Sequence, residues 1–262
     1  MIPALASRYA PSFALIRAHF VAGLAGACLF AFALAASAPA LEGHFFQGHL
    51  LGLVHLCVLG WLLPIAIGAM HQLVPVVFEV PVRSERLAWI ALGLYIAGAA
   101  GLIRGMWTFS TGVAFAGSAA LLAIAIGLYA ANLLATLART RTRSLTGACV
   151  VASLVWLLFA ASLGLALALH LHAPWLTTNH LQLLRVHAHG AGVGFFALLI
   201  MGVAYRLLEM FLLAYGAPER AGWLSFAATN VGLLLFSAGS WRMETALVIA
   251  GAAAIGAGVI LF

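Results

Sequence analysis

Eight apolar runs, near 16–38, 47–77, 87–103, 109–136, 146–170, 183–214, 221–240 and 244–262, dominate the chain and limit its fold more than any other feature. Most reach the roughly 20 residues that a helix needs to cross a bilayer. The 262 residues are 65% hydrophobic and only 7% charged, a composition that no water-soluble domain of this size carries on its surface. The expected fold class is therefore all-α, a polytopic membrane bundle of about eight transmembrane helices. The second and sixth runs exceed what a bilayer requires and should extend past the hydrocarbon at one end. The third and eighth are marginal in length.

The basic residues are all arginine, and their placement sets an expected orientation. Arg8, Arg17, Arg83, Arg86, Arg139, Arg141, Arg143 and Arg220 flank one set of helix ends, whereas Arg104, Arg185 and Arg242 fall on the other. By the positive-inside rule both termini should be cytoplasmic, with the chain in a bacterial-type inner membrane. Flanking arginines account for the net charge of +6, so lipid is the implied partner and nucleic acid is not. Arg17, an apolar run and "ASA" at 36–38 imitate a secretory signal. The run exceeds the ~7–15 residues of a signal core and Pro39 would follow the cut, so the segment reads as the first helix. Cys28, Cys57 and Cys149 lie in apolar sequence and read as small hydrophobes.

The chain repeats itself. "HLCVLGWLLPIAIGAMHQLVPVVFEVPVRSERLAW", 55–89, aligns without a gap on "HGAGVGFFALLIMGVAYRLLEMFLLAYGAPERAGW", 189–223, at an offset of 189 − 55 = 134. His55 meets His189, Gly60 meets Gly194, Gly68 meets Gly202, and Glu85, Arg86 and Trp89 meet Glu219, Arg220 and Trp223. An offset of four helices makes the repeat parallel. It divides one integrated membrane domain into four-helix units, 1–136 and 137–262. Matched residues of a parallel repeat share a depth, so His55 and His189 can face each other and ligate one haem iron from both sides. A bis-imidazole haem has no open position, which suits electron transfer. His187 and His189 are two residues apart, about 200° round a helix, and cannot serve the same iron.

At these residues the sequence resembles subunit I of the haem-copper oxidase superfamily, which includes cytochrome oxidases and nitric oxide reductases. "VHAHGAGVGFFALLIMGVAYRL" resembles that family's tenth helix, and "HLLGLVHLCVLGWLLPIAIGAMHQLVPVV" its second. The resemblance implies that His55 and His189 hold a low-spin b-type haem (heme b) and that His187 is the proximal ligand of a second haem able to bind or reduce nitric oxide or oxygen. It implies that Arg242, in "GSWRMET", holds haem propionates, since the guanidinium fork binds carboxylates bidentately. A cytochrome c or a quinol would be the electron donor. Subunit I ordinarily has twelve helices, and the absent arc is the one that carries the family's copper-site histidines. Copper is therefore not implied here, and a companion chain or a second copy would have to supply that arc.

Other residues have their own readings. His170 and His172, in "ALHLHAPW", and His180 have metal-capable chemistry but fall around an expected outer loop. His44 is expected in an outer loop and His49 at an interface. Gly190, Gly192, Gly194 and Gly202 thin the sixth helix, admitting a flat macrocycle or a close helix neighbour. Arg206 and Glu209 are three apart and can pair or reach the interface; Glu209 can also serve a proton path. A rival reading joins His19 to His71, about 24 Å along the helix axis from His55, as ligands of another haem in a transmembrane electron conduit. The repeat sets Tyr205 opposite His71 and gives that pair no counterpart. A third reading is a non-catalytic assembly subunit derived from an oxidase.

Overall fold

The computed structural model describes residues 8–44, 46–140, 144–176, 180–213 and 219–262; Arg141 and Arg143 lie outside them. Among the described residues every extended element is a helix. These are α1 (Phe13–Ala36), α2 (Gly48–Val77), α3 (Glu85–Trp107), α4 (Val113–Leu137), α5 (Leu145–His172), α6 (His180–Leu212), α7 (Arg220–Arg242) and α8 (Thr245–Leu261). A 3-10 turn, Ala38–Glu42, separates α1 from α2. Seven of the eight are long and apolar enough to cross a membrane, and α8, with 17 residues, is shorter. The chain is a polytopic helical membrane protein.

α3 is longer than its apolar run because polar residues at both ends belong to it. The Ser84 hydroxyl caps it, accepting from the Leu87 N–H at 3.1 Å, and Arg104 sits in its last turn. There a basic side chain complements the helix dipole and can reach the interface. Ser84 also joins a clamp between the α2–α3 connection and α4. The Asn132 side chain accepts from the Ser84 N–H at 3.0 Å and donates to the Ser84 carbonyl at 2.9 Å. Thr136 Oγ1 accepts from the Arg83 N–H at 2.9 Å. Buried Asn132 and Thr136 thus meet backbone groups that lipid would leave unbonded.

The chain divides into two compact units, Met1–Thr140 with Ala168–Pro174, and Arg141–Leu167 with Trp175–Phe262. The first unit takes in the chain to Thr140, and the end of α5 groups with it. There the His172 Nδ1–H donates to the Thr111 carbonyl at 2.8 Å.

The two units share their backbone punctuation. The non-glycine residues with positive φ among the described residues are Glu79, Phe109, Leu213 and Met243. They pair at the repeat offset, 79 + 134 = 213 and 109 + 134 = 243. Each pair marks equivalent helix ends, of α2 and α6 and of α3 and α7. Both long helices also open into a π-helical stretch, Leu56–Leu62 in α2 and Gly190–Ala197 in α6, and the starts again differ by 190 − 56 = 134. Pro64 follows the first stretch, but Leu198 holds the matching place in α6. A missing proline N–H is therefore not their common cause.

Matched glycines set matched seams. Gly60 approaches Gly26 of α1, and Gly194 receives the Trp156 side chain of α5. Gly68 lies against His19 and Phe20 of α1, and Gly202 against Cys149 of α5. Gly98 and Gly105 bring α3 against α4, as Gly232 and Gly239 bring α7 against α8. Without a hydrophobic driving force between helices in lipid, such close approach is what gives van der Waals packing its yield.

Candidate functional site

His55 and His189 occupy the same local setting, one in each unit. Each ends a regular α-helical stretch immediately before the π-helical one. Each bonds through Nδ1 to the carbonyl four residues earlier, His55 to Leu51 at 2.7 Å and His189 to Arg185 at 2.9 Å. A carbonyl only accepts, so Nδ1 carries the proton and Nε2 keeps its lone pair. That second bond is how proteins fix the tautomer and orientation of a ligating imidazole. Both residues are half-buried. The His189 ring also lies 4.1 Å, centre to centre, from Phe236 of α7, at a 32° tilt.

Arg242 is six residues beyond Phe236, about 9 Å along α7. Its side chain is 68% exposed and meets Glu244 only at 4.0 Å, a contact that holds a guanidinium weakly. The glycines of α6 separate by role. Gly190, Gly194 and Gly202 face α5, whereas beside Gly192, three residues after His189, there is open space. A flat group can approach α6 at Gly192 and not at the other three.

His187 faces a different helix from His189. Its Nδ1–H donates to the Ala160 carbonyl of α5 at 2.8 Å. Its ring covers Gly164, where a Cβ would stand 2.9 Å from Cε1. The imidazole expected to be the proximal ligand of a second haem thus packs into the α5–α6 seam. His170 and His172 belong to the last turn of α5, and His180 opens α6, so these three are helical rather than loop residues. Among the described residues no group of three or more His, Cys, Asp or Glu side chains gathers closely enough to hold a metal ion. Cys149 is buried while Cys28 is exposed on α1. The Arg206–Glu209 pair forms at 3.6 Å, and the His49 ring lies against Trp107 with centres 3.8 Å apart at a 45° tilt.

An enclosed polar cluster lies inside the first unit. His19 of α1 and His71 of α2 are 2% and 1% exposed, with ring centres 5.1 Å apart and a 38° tilt. Both bond through Nδ1 to the carbonyl four residues earlier, Leu15 at 2.8 Å and Ile67 at 2.9 Å. Tyr129 of α4 approaches His71 with ring centres 5.5 Å apart. Tyr95 of α3 donates to the Leu59 carbonyl at 2.6 Å, within the π-helical stretch of α2. All four side chains line a cavity of about 10 Å³. His71 Nε2 and the Tyr129 hydroxyl are fully enclosed without a protein hydrogen-bond partner. An unbonded buried polar group costs about 1–3 kcal/mol.

This geometry bears on the rival haem reading. Two imidazoles in trans on one iron at about 2.0–2.1 Å hold their ring centres roughly 6.4 Å apart, against 5.1 Å here. The cavity has room for about one water, far below a macrocycle. Sequence reasoning weighed His19 and His71 but missed Tyr95 and Tyr129. The available signal was a phenol in the apolar run of each of the two helices that complete the unit.

Compared with known proteins, the chain matches no family model, no curated protein and no solved structure.

Proposed function

We propose that this chain is an inner-membrane haem protein that transfers electrons, with His55 and His189 as the axial ligands of a b-type haem. The observation that carries the reading is the setting they share, an imidazole held through Nδ1 at the start of a π-helical stretch, 134 residues apart. π-Helical stretches concentrate at functional sites, and a fixed Nε2 lone pair is the donor a haem iron takes. Open space at Gly192 and the weakly held Arg242 guanidinium add a face for the ring and a partner for its carboxylates. That both imidazoles serve one iron rests on the sequence repeat. Bound in that way, haem supplies a one-electron couple without an open position. A second, gas-binding haem at His187 has less support: its Nδ1 is also held by a carbonyl, but its ring covers Gly164 of α5. The arginine distribution supports cytoplasmic termini, and a cytochrome c or quinol would supply the electron.

The test is a reduced-minus-oxidised spectrum of protein purified from haem-replete cells. A low-spin b-type signal is expected, abolished equally by His55→Ala and His189→Ala and largely retained by His187→Ala. A wild-type protein without a Soret band would favour the assembly-subunit reading. An unchanged spectrum in both ligand variants would remove the assignment.

A further inference from the structure

We propose that His19, His71 and Tyr129 form a second site, which binds one divalent first-row transition-metal ion of the zinc or copper class. It lies wholly within the first unit and is independent of the haem assignment. The two Nδ1–H groups are tied to the Leu15 and Ile67 carbonyls, so each neutral ring keeps its lone pair on Nε2, and both rings line the cavity. Two such acceptors on neighbouring rings can share one cation. An ion about 2.0–2.1 Å from each Nε2 sits roughly 3.2 Å from each ring centre. Rings 5.1 Å apart then subtend roughly 105° at the ion, near the tetrahedral angle of zinc sites. A water bonded to both nitrogens at about 2.8 Å would be held at roughly 80°, narrower than its two O–H bonds.

Tyr129 provides the third ligand from α4. Its hydroxyl is enclosed and without a protein partner, as is His71 Nε2. As the ion binds, the Tyr129 phenol loses its proton to water and its oxygen ligates as phenolate, which offsets one of the two positive charges. The remaining cavity, about 10 Å³, holds one water-sized fourth ligand. The site lies near the ends of its helices. His19 is six residues from the start of α1 and His71 six from the end of α2, each about 9 Å along its axis.

The fold does not require these imidazoles. At the repeat offset, the second unit has Ser153 for His19, Tyr205 for His71 and Thr229 for Tyr95, and it keeps the same glycine seams. Imidazole preference and the divalent affinity order favour copper and zinc over earlier metals, and the angle favours zinc.

The experiment titrates the purified full-length protein with cobalt(II) alone, because tetrahedral cobalt gives intense visible d–d bands, and then displaces it with zinc(II). Expected are one equivalent bound, at least tenfold weaker binding in His19→Gln and in His71→Gln, and a shifted band in Tyr129→Phe. The last change keeps the ring volume, so it reads the site even if a histidine variant fails to fold. No tetrahedral band in the wild type, or equal affinity and spectrum in all variants, would overturn the site. So would a Soret signal lost in His71→Gln and kept in His55→Ala, which would make the pair haem ligands. Loss of haem in His55→Ala with cobalt binding intact separates this proposal from the previous one.

Discussion

The two units have the same backbone plan and different polar interiors. Positive-φ residues, π-helical stretches and glycine seams recur at 134 residues, yet the first unit encloses His19, His71 and Tyr95 beside Tyr129, and at the places of the first three the second has Ser153, Tyr205 and Thr229. The Ser153 hydroxyl is satisfied locally, donating to the Val150 carbonyl at 2.8 Å. Helix packing in both units therefore depends on small residues and on where the chain turns. The core polar groups that differ between the units are not part of that shared plan, so they are the ones to examine for chemistry.

Position 26 and its counterpart 160 give the sharpest test of that separation. Gly26 lies directly against the Gly60 backbone, and a Cβ there would overlap the Gly60 carbonyl. Ala160 stands in the matching place in α5, and its Cβ has ordinary contact with a Cβ built at Gly190, at 3.7 Å. Backbone against backbone cannot relax by a rotamer change. Gly26→Ala is therefore expected to cost about 3 kcal/mol, at the upper end of overpacking or beyond it. Ala160→Gly should cost about 1 kcal/mol, the helix-propensity difference. Denaturant unfolding in detergent compares the two; equal losses would mean that the seams are not set by these contacts.

A smaller effect tests whether the interiors are interchangeable. Tyr205 fits the second unit because residue 222 is glycine; a Cβ there would stand 2.9 Å from Tyr205 Cζ. The matching residue in the first unit is Ala88, which lines the cavity beside His71. His71→Tyr alone should cost about 1–3 kcal/mol by overpacking. Adding Ala88→Gly should return about 1 kcal/mol or more, a coupling larger than the ~0.5 kcal/mol scatter of independent sites. Strict additivity in the double-mutant cycle would show that the two interiors are not built on the same frame.

What was legible in the sequence divides along the same line. Helix positions followed from hydropathy because lipid forces each apolar run into a helix, and the register came from His55, Gly60, Gly68 and their partners. The ends of α3 were harder to place, since Ser84 and Arg104 are polar residues that cap or reach out of a helix without ending it. The π-helical stretches left no signal, because "LCVLGWL" and "GAGVGFFA" share only one glycine at matched positions. The packing of His187 against Gly164 depends on α5, which no local pattern around His187 encodes. His19 and His71 were visible as chemistry, but their closeness is a tertiary fact, and the repeat argued against them because only one unit has the pair.

The smallest effect concerns the shared turns. Glu79 and Leu213 have φ of 52° and 53°, are both exposed, and end α2 and α6 where glycine is the usual residue. The left-handed conformation costs a non-glycine residue roughly 1–2 kcal/mol. Glycine removes that cost but adds roughly 0.5–1 kcal/mol of backbone entropy to the unfolded chain. Glu79→Gly and Leu213→Gly should therefore each stabilise the protein by about 0.5 kcal/mol, with the same sign and similar size in both units. Neither substitution should alter binding at the two proposed sites, because each lies at a helix end away from the proposed ligands. Thermal unfolding in detergent measures the effect. Stabilisation at one position and destabilisation at the other would show that the paired turns match in geometry without matching in energy, and would confine the repeat to the path of the chain.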